Sequence, residues 1–431
     1  MPPFRTNPYS RKGHWPIMLL AVALVVAVLA VSLHGLARKP VAPVVRAVVP
    51  TPTPPCAADP AGLLPPTDPN GVPLGYWHTC GSEIVNRNGT PVLIHGIAWS
   101  GMELPGGAPG GLDKRNYQEI LQEVKALGYN TVRIPYSSEA IAPGHLPKGI
   151  NTALNPDLKG LTSLQVLDRI IAECHRLGLK VILDRHRINP YTVSPLWYDN
   201  SYSTDQWIGD WIRLAERYRG NDAVIGFDLE NEPYGATWGE GNPQTDWRVA
   251  ASRAGDAVLD ANPYLLIFVE GVGNDPSGKT YWYGGELSAV RHHPLTLNRA
   301  GRVVYSPHEY GPSVYPQKWF FTPDFPSNLP GIWNLHWGFI AEQGIGPVVV
   351  GETGSPDVGY DVGGTWQRVF LSYLAERRIG FVVWAINPDE PDTGGLFEAD
   401  WRTINVARQS LFSPYLEPAR SDGPEAVLPR G

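Results

Sequence analysis

Apolar and polar positions fall into three regimes along the chain. Residues 17–33, IMLLAVALVVAVLAVSL, are apolar without interruption, with Arg5, Arg11 and Lys12 before them and Arg38 and Lys39 after. A run apolar on every face at this length is at the short end of a membrane span and long for a signal-peptide core. It predicts a membrane-anchor helix within residues 1–39, with removal as a signal peptide the alternative. The basic residues ahead of the run keep the N-terminus inside and send the remainder across. Residues 40–74 are dense in proline, as in VVPTPTPPCAADPAGLLPPTDP, and read as an extended, solvated linker.

From residue 75 the pattern changes to apolar, β-branched segments separated by amphipathic helical ones. The strand candidates are VLIHGIAW (92–99), NTVRIPY (130–136), KVILDRH (180–186), AVIGFDLEN (223–231), LLIFVEG (265–271), RVVYSPHEY (302–310), PVVVGETG (347–354) and GFVVWAINP (380–388). Helical patterns such as YQEILQEVKALG, SLQVLDRIIAECHRLG and DWRVAASRAGDAVLDA lie between most of them. Near-continuous apolar strands alternating with helices predict an α/β fold with a parallel sheet covered by helices. Eight such units within residues 75–418 predict a (β/α)8 TIM barrel, with residues 419–431 as a C-terminal tail. A doubly wound open sheet is disfavoured, because no Gly-rich phosphate turn follows the first strand.

Composition narrows the function. The net charge of −7 argues against a nucleic-acid partner. Trp is high at 15 residues, with 19 Tyr; a large core uses some, and flat aromatic faces also suit the apolar C–H face of a sugar ring. Only Cys56, Cys80 and Cys174 are present, so no disulfide framework supports the fold. Cys174 lies in a helical pattern and reads as a small packed residue, whereas Cys56 and Cys80 can pair if this part is exported.

In a barrel, the C-terminal ends of all strands meet on one face. The polar residues at those ends are Trp99, Arg133, His186, Asn231, Glu232, Glu270, His308, Tyr310, Glu352 and Trp384. Glu232 ends strand four and Glu352 ends strand seven. Two carboxylates facing each other suit glycosidic cleavage: one protonates the departing oxygen and the other attacks the anomeric carbon. No metal or organic cofactor is required for that chemistry.

The set VRIPY, VILDRHR, GFDLENEP, HEYGPSVYP and GETG resembles glycoside hydrolase family 5, and is most similar to the actinobacterial-type endo-β-1,4-glucanases of that family. The resemblance covers about residues 75–415. It implies that Glu232 is the acid/base and Glu352 the nucleophile. It further implies that Asn231 contacts the sugar 2-hydroxyl, that Arg133 and Tyr310 lie beside Glu352, and that His186 and His308 contact sugar. Trp384 would be the aromatic platform of the glycone side and Trp99 a further stacking wall. Among their neighbours, Asp184 is expected to brace other side chains, Glu270 to act behind the site or at a distance, and Glu230 to point away from it. Trp197 and Trp282 fit either the core or a sugar-stacking surface. His292 and His293 are expected to be solvent-exposed rather than metal ligands.

The chain also departs from its relatives. The loops GMELPGGAPGG, RINPYTVSP and TWGEGNP lack the cysteines found there in relatives, and Ile386 stands where relatives often carry a second aromatic. The latter predicts a lost stacking surface. The combined expectation is a monomeric, extracellular, membrane-anchored retaining hydrolase that cleaves internal β-1,4 bonds of cellulose or a related β-glucan. A β-mannanase, a β-1,3-glucanase, a transglycosylase and a non-catalytic glucan-binding protein are the alternatives.

Overall fold

The computed structural model describes residue 56 and residues 58–416. The apolar run at 17–33 and the tail at 419–431 lie outside the described residues. Among the described residues, no helix is long and apolar enough to cross a membrane.

Three short strands come first: β1 (His78–Cys80), β2 (Glu83–Val85) and β3 (Pro91–Val92), paired antiparallel in that order. The remaining strands are β4 (His95–Ala98), β5 (Thr131–Ser137), β6 (Lys180–Arg187), β7 (Val224–Asp228), β8 (Leu266–Val269), β9 (Val303–Tyr305), β10 (His308–Tyr310), β11 (Val349–Gly354) and β12 (Gly380–Val383). Neighbouring strands are parallel and follow chain order from β4 to β9, and β10 runs through β11 and β12 back to β4. Ser306 and Pro307 divide a single strand into β9 and β10. Its first half pairs with β8 and bridges to Val348, and its second half pairs with β11, which closes the ring. All eight strands expected from the sequence are therefore present. The first is shorter than expected, because Val92 pairs with Ile84 in the antiparallel sheet instead.

The two faces of each strand build two cores. Ala98, Ile182, Ile225, Leu266, Phe268, Val304, Val349 and Val382 fill the barrel interior, with Trp77 and Ile84 closing its base. Ile97, Trp99, Val132, Leu183, Phe227, Ile267 and Val350 face the helices. Those helices include α1 (Tyr117–Ala126), α2 (Ser163–Leu177), α3 (Thr204–Arg217) and α4 (Trp247–Ala261). Thr162 with Gln165 and Ser203 with Gln206 form capping boxes that start α2 and α3, and Gly178 at φ 68° ends α2. Many tryptophans serve this layer. Trp207 and Trp211 donate their indole N–H groups to the Leu229 carbonyl at 3.0 and 3.1 Å, and Trp247 donates to the Glu270 carbonyl at 2.9 Å. Trp197 is fully buried against Trp207 and Trp247, which assigns it to the core. Trp282 is also buried and donates to Glu309.

Composition places residues 40–74 in a solvated linker, but its described end is held on the barrel base. Cys56 and Cys80 form a disulfide with Cα atoms 5.8 Å apart. Asp59 pairs with the buried Arg302, Tyr264 donates to the Leu64 carbonyl at 2.9 Å, and the Tyr76 and Tyr264 rings stack. A proline-rich strand makes few hydrogen bonds of its own, so cross-links and side-chain partners decide whether it lies on a surface. The disulfide closes a loop with a sequence separation of 24, for which chain entropy predicts about 3 kcal/mol. Cys80→Ser should lower the denaturation midpoint accordingly and speed proteolysis between residues 58 and 74. An unchanged midpoint would show that the other contacts suffice.

Candidate active site

Arg133 stands at the centre of the C-terminal face. It projects from β5 and is fully buried. Its Nε donates to Asp228 at 3.1 Å, its Nη1 to Glu352 at 2.5 Å and its Nη2 to Glu270 at 3.1 Å, while Asp184 lies 3.2 Å away. One guanidinium thus serves four buried carboxylates from four different strands or strand ends. Burial alone would weaken its charge, but Asp184, Glu352, Asp228 and Glu270 together hold its pKa well above the ordinary value.

Glu352 lies in β11 and faces His308 of β10 in register. Besides Arg133, it accepts the Tyr310 hydroxyl at 2.5 Å. His308 Nδ1 is 3.6 Å and His186 Nδ1 3.8 Å from its oxygens. Burial alone would raise its carboxyl, but the charges of His308, Arg133 and His186 and the Tyr310 hydroxyl outweigh burial and hold it at about 2. Burial likewise works against a charge on His308, yet Glu270 and Glu352 raise its pKa well above the usual imidazole range.

Glu232 follows β7 and is more open, with its side chain 21% exposed against 5% for Glu352. One of its oxygens lies 3.0 Å from His308 Nδ1. Single oxygens of Glu232 and Glu352 lie within 4.8 Å of each other. Glu232 adopts φ 50°, in the left-handed region that side chains other than glycine rarely occupy. Its backbone N–H donates to Glu270 at 2.7 Å. Asn231 accepts from Arg133 at 3.5 Å through Oδ1, leaving its amide nitrogen as a donor.

His186 is fixed by Asp184 at 2.7 Å, and its ring stacks on the half-buried Trp384 at 5.3 Å and 17°. Three groups of His and carboxylate side chains have metal-ligand spacing: Asp184–His186–Glu352, Asp228–Glu270–His308 and Glu232–His308–Glu352. Arg133 already bonds to or pairs with all their carboxylates except Glu232, so a cation of the chain itself already faces them.

The structure brings Arg133, His186, Asn231, Glu232, His308, Tyr310, Glu352 and Trp384 to one face. It does not place Trp99 there. Trp99 is fully buried in the helix-facing layer and donates to the Gly110 carbonyl at 3.0 Å. The reason is strand alternation: Ala98 faces the barrel interior, so its neighbour faces the helices. Ile386 is buried too, with its N–H on the Ala98 carbonyl, so this position offers no cleft surface to lose. Glu230 points away from the centre and pairs with buried Arg185, while His292 and His293 are exposed.

Two contributors were not read from the sequence. Asp228 was one, although an acid within the apolar run AVIGFDL requires a buried counter-charge, and Arg133 is the nearest cation on the interior. Arg408 was the other. It reaches from α5 (Val406–Phe412), near the end of the described residues, to the carbonyls of Ser355 at 2.9 Å and Trp384 at 2.7 Å. Only folding shows that this distant residue lies beneath strands seven and eight. The loops without cysteine are held by polar contacts instead. In the first, the buried Glu103 accepts the Gly101 N–H at 2.7 Å, and burial pushes its carboxyl up to about 7.

The low pKa of Glu352 has a testable consequence. Tyr310→Phe removes a donor to its ionised form, which is worth about 1.5–3 kcal/mol for a charged acceptor, or about one to two pH units. The carboxyl then rises from about 2, so the acidic limb of kcat/KM should move to higher pH. A limb that stays in place would show that Tyr310 does not hold the charge.

A barrel with two carboxyls facing each other above a buried arginine, one open and one held ionised, has the architecture of a glycoside hydrolase. The comparisons agree. A family model for cellulase (glycosyl hydrolase family 5) matches residues 85–390, and the chain belongs to that family. It is 44% identical over 356 residues to an endoglucanase of Paenibacillus polymyxa, a match covering 82% of this chain and 90% of that protein. The major extracellular endoglucanase of Xanthomonas campestris pv. campestris is 38% identical over 350 residues, 79% of this chain and 71% of that one. An endocellulase variant of Pyrococcus horikoshii solved with cellotetraose is similar with a TM-score of 0.77 and 38% identity, covering 82% of this chain and 100% of that chain.

Proposed function

We propose that this enzyme cleaves internal β-1,4-glucosidic bonds of cellulose or a related β-glucan with retention of configuration. The observation that carries the mechanism is the approach of Glu232 and Glu352 to within 4.8 Å. An approach of single oxygens this close favours a retaining pair, whose carboxyls lie about 5–5.5 Å apart, over an inverting pair at about 6.5–9.5 Å. In the first step a Glu352 oxygen attacks the anomeric carbon while Glu232 delivers a proton to the departing glycosidic oxygen. In the second, Glu232 takes a proton from water, which attacks the same carbon and releases Glu352. Asn231 binds the 2-hydroxyl, and Trp384 supports a sugar ring with His186 behind it. The relatives' endoglucanase names and the cellotetraose-bound neighbour support the substrate class. The motifs further support kinship with the actinobacterial-type enzymes.

The enzyme works outside the cell as a monomer, attached through residues 17–33 or released after their removal. Cys56, where the described chain begins, is bonded to β1 at the barrel base, so the linker joins the face opposite the site.

The test is a panel of carboxymethyl cellulose, mixed-linkage glucan, mannan, xyloglucan and laminarin, with proton NMR of the first anomer released. Activity on the first two with β-anomer appearing first is expected. Preference for mannan or laminarin would replace the substrate, and long products would indicate transglycosylation. Initial α-anomer would overturn double displacement. No reducing sugar from any polymer would favour a binding protein.

A further inference from the structure

We propose that Glu270 is a positioning residue that holds the backbone of Glu232 and sets the proton on His308, so that the acid/base carboxyl meets the departing oxygen. This rests on the assignment of Glu232 as acid/base. Glu270 follows β8 and is fully buried, so it acts through its neighbours and not through substrate.

Two donors and a ring nitrogen converge on its carboxyl oxygens. Oε2 accepts the Glu232 N–H at 2.7 Å. Oε1 accepts Arg133 Nη2 at 3.1 Å and lies 3.1 Å from His308 Nε2. Its own carbonyl is fixed by the Trp247 indole at 2.9 Å. The loop after β8 packs directly on it: a Cβ on Gly284 would fall 2.5 Å from Glu270 Oε2 and 3.2 Å from His308. The carboxylate has little room to turn.

The first contact bears on backbone strain. A residue other than glycine in the left-handed region is strained, and such strain persists only where the surroundings impose it. Glu232 has φ 50°, and its N–H donates at 2.7 Å to a buried carboxyl oxygen of Glu270. Glu270 thereby offsets the cost of the conformation that aims Glu232 across the cleft.

The second contact bears on the proton. His308 Nε2 lies 3.1 Å from the Glu270 oxygen, off the line of a hydrogen bond, but a bare lone pair that close to the acid would be repelled, so Nε2 carries hydrogen. Nδ1 then faces Glu232 Oε1 at 3.0 Å and shares a proton with it. Either the protonated Glu232 donates to Nδ1 or Nδ1–H donates to the carboxylate. Both are states that an acid/base passes through. Without Glu270 the hydrogen can move to Nδ1 in the neutral ring, and a protonated Glu232 loses its acceptor.

Glu270→Gln tests this with two substrates. A cello-oligosaccharide has a poor leaving group and needs the acid; an aryl β-cellobioside of an acidic phenol departs without a proton. Misplacement of the acid should lower kcat/KM for the oligosaccharide by about 10²-fold and leave that of the aryl substrate within about threefold. Azide should accelerate aryl turnover and yield the β-glycosyl azide, because the trapped glycosyl-enzyme no longer has a well-placed base. Equal losses on both substrates, or no loss, would overturn the proposal, since a purely structural role makes no distinction between leaving groups. If the Gln variant does not fold, Glu270→Asp keeps the charge, shortens the reach and should show the same split. Glu232→Ala is the control. If it shows no dependence on leaving group, the acid/base assignment fails, and the Glu270 proposal falls with it.

Discussion

Glu352→Gln should lower turnover of β-glucan by a factor on the order of 10⁴–10⁶, the loss expected when a covalent nucleophile is removed. The substitution keeps the shape of the side chain but removes its charge. An amide can still accept from Tyr310, yet it cannot form the glycosyl-enzyme bond. It also leaves Arg133 with one fewer carboxylate, so the cluster becomes less negative and the fold should survive. The measurement is kcat on a soluble glucan alongside the denaturation midpoint. Glu352→Ala, which vacates the space of the carboxyl, should regain turnover of an aryl cellobioside with inversion when azide or formate is supplied, because a small anion fits where the carboxylate was. Near-normal activity in the Gln variant would remove Glu352 from the nucleophile's role.

Arg133→Met should damage both stability and activity. The guanidinium bonds to or pairs with Asp184, Asp228, Glu270 and Glu352, all buried. Removing one partner of a buried ion pair typically destabilises by about 3–5 kcal/mol, a large share of the roughly 5–15 kcal/mol that holds a domain folded. The carboxylates can respond by binding protons. Burial already pushes Asp228 up to about 6 and raises Glu270 well above the usual carboxyl range, against the pull of Arg133, so these two should do so first. The Glu352 carboxyl rises as well, so the nucleophile is discharged in the pH range where the enzyme works. The variant should therefore unfold at lower temperature and lose at least about two orders of magnitude in kcat/KM even where it remains folded. Arg133→Lys separates charge from geometry. An ammonium restores one positive charge but cannot reach Asp228, Glu270 and Glu352 at once, so rescue should be partial. A Met variant as stable and active as the parent would mean that other groups balance the four acids.

The residues that carry this chemistry differ in how openly the sequence displays them. Glu232 and Glu352 sit at strand ends within NEP and GETG, and a strand end is a local feature. Once the barrel is inferred, both must lie on one face. Arg133 stands out for a similar reason, as a charge inside an apolar strand. The direction of an aromatic side chain is harder. Trp99 and Trp384 both follow barrel strands, yet the first is fully buried among helices and the second is half-exposed beside His186. Alternation decides between the two, and it can be counted only when the first inward residue is known.

The sequence by itself determined the order of strands and helices, the barrel, and the strands that hold the two carboxyls. These follow from periodicity and from where apolar runs stop, which neighbouring residues report. Tertiary structure decided the rest: the approach of Glu232 and Glu352 oxygens to within 4.8 Å, the left-handed turn at Glu232, and the convergence of Asp184, Asp228, Glu270 and Glu352 on Arg133. It also seated Arg408 beneath strands seven and eight and bound residues 58–74 to the base. Each of these depends on contacts between residues far apart in the chain, whose distances are set by ring closure and packing and leave no periodic trace in the sequence.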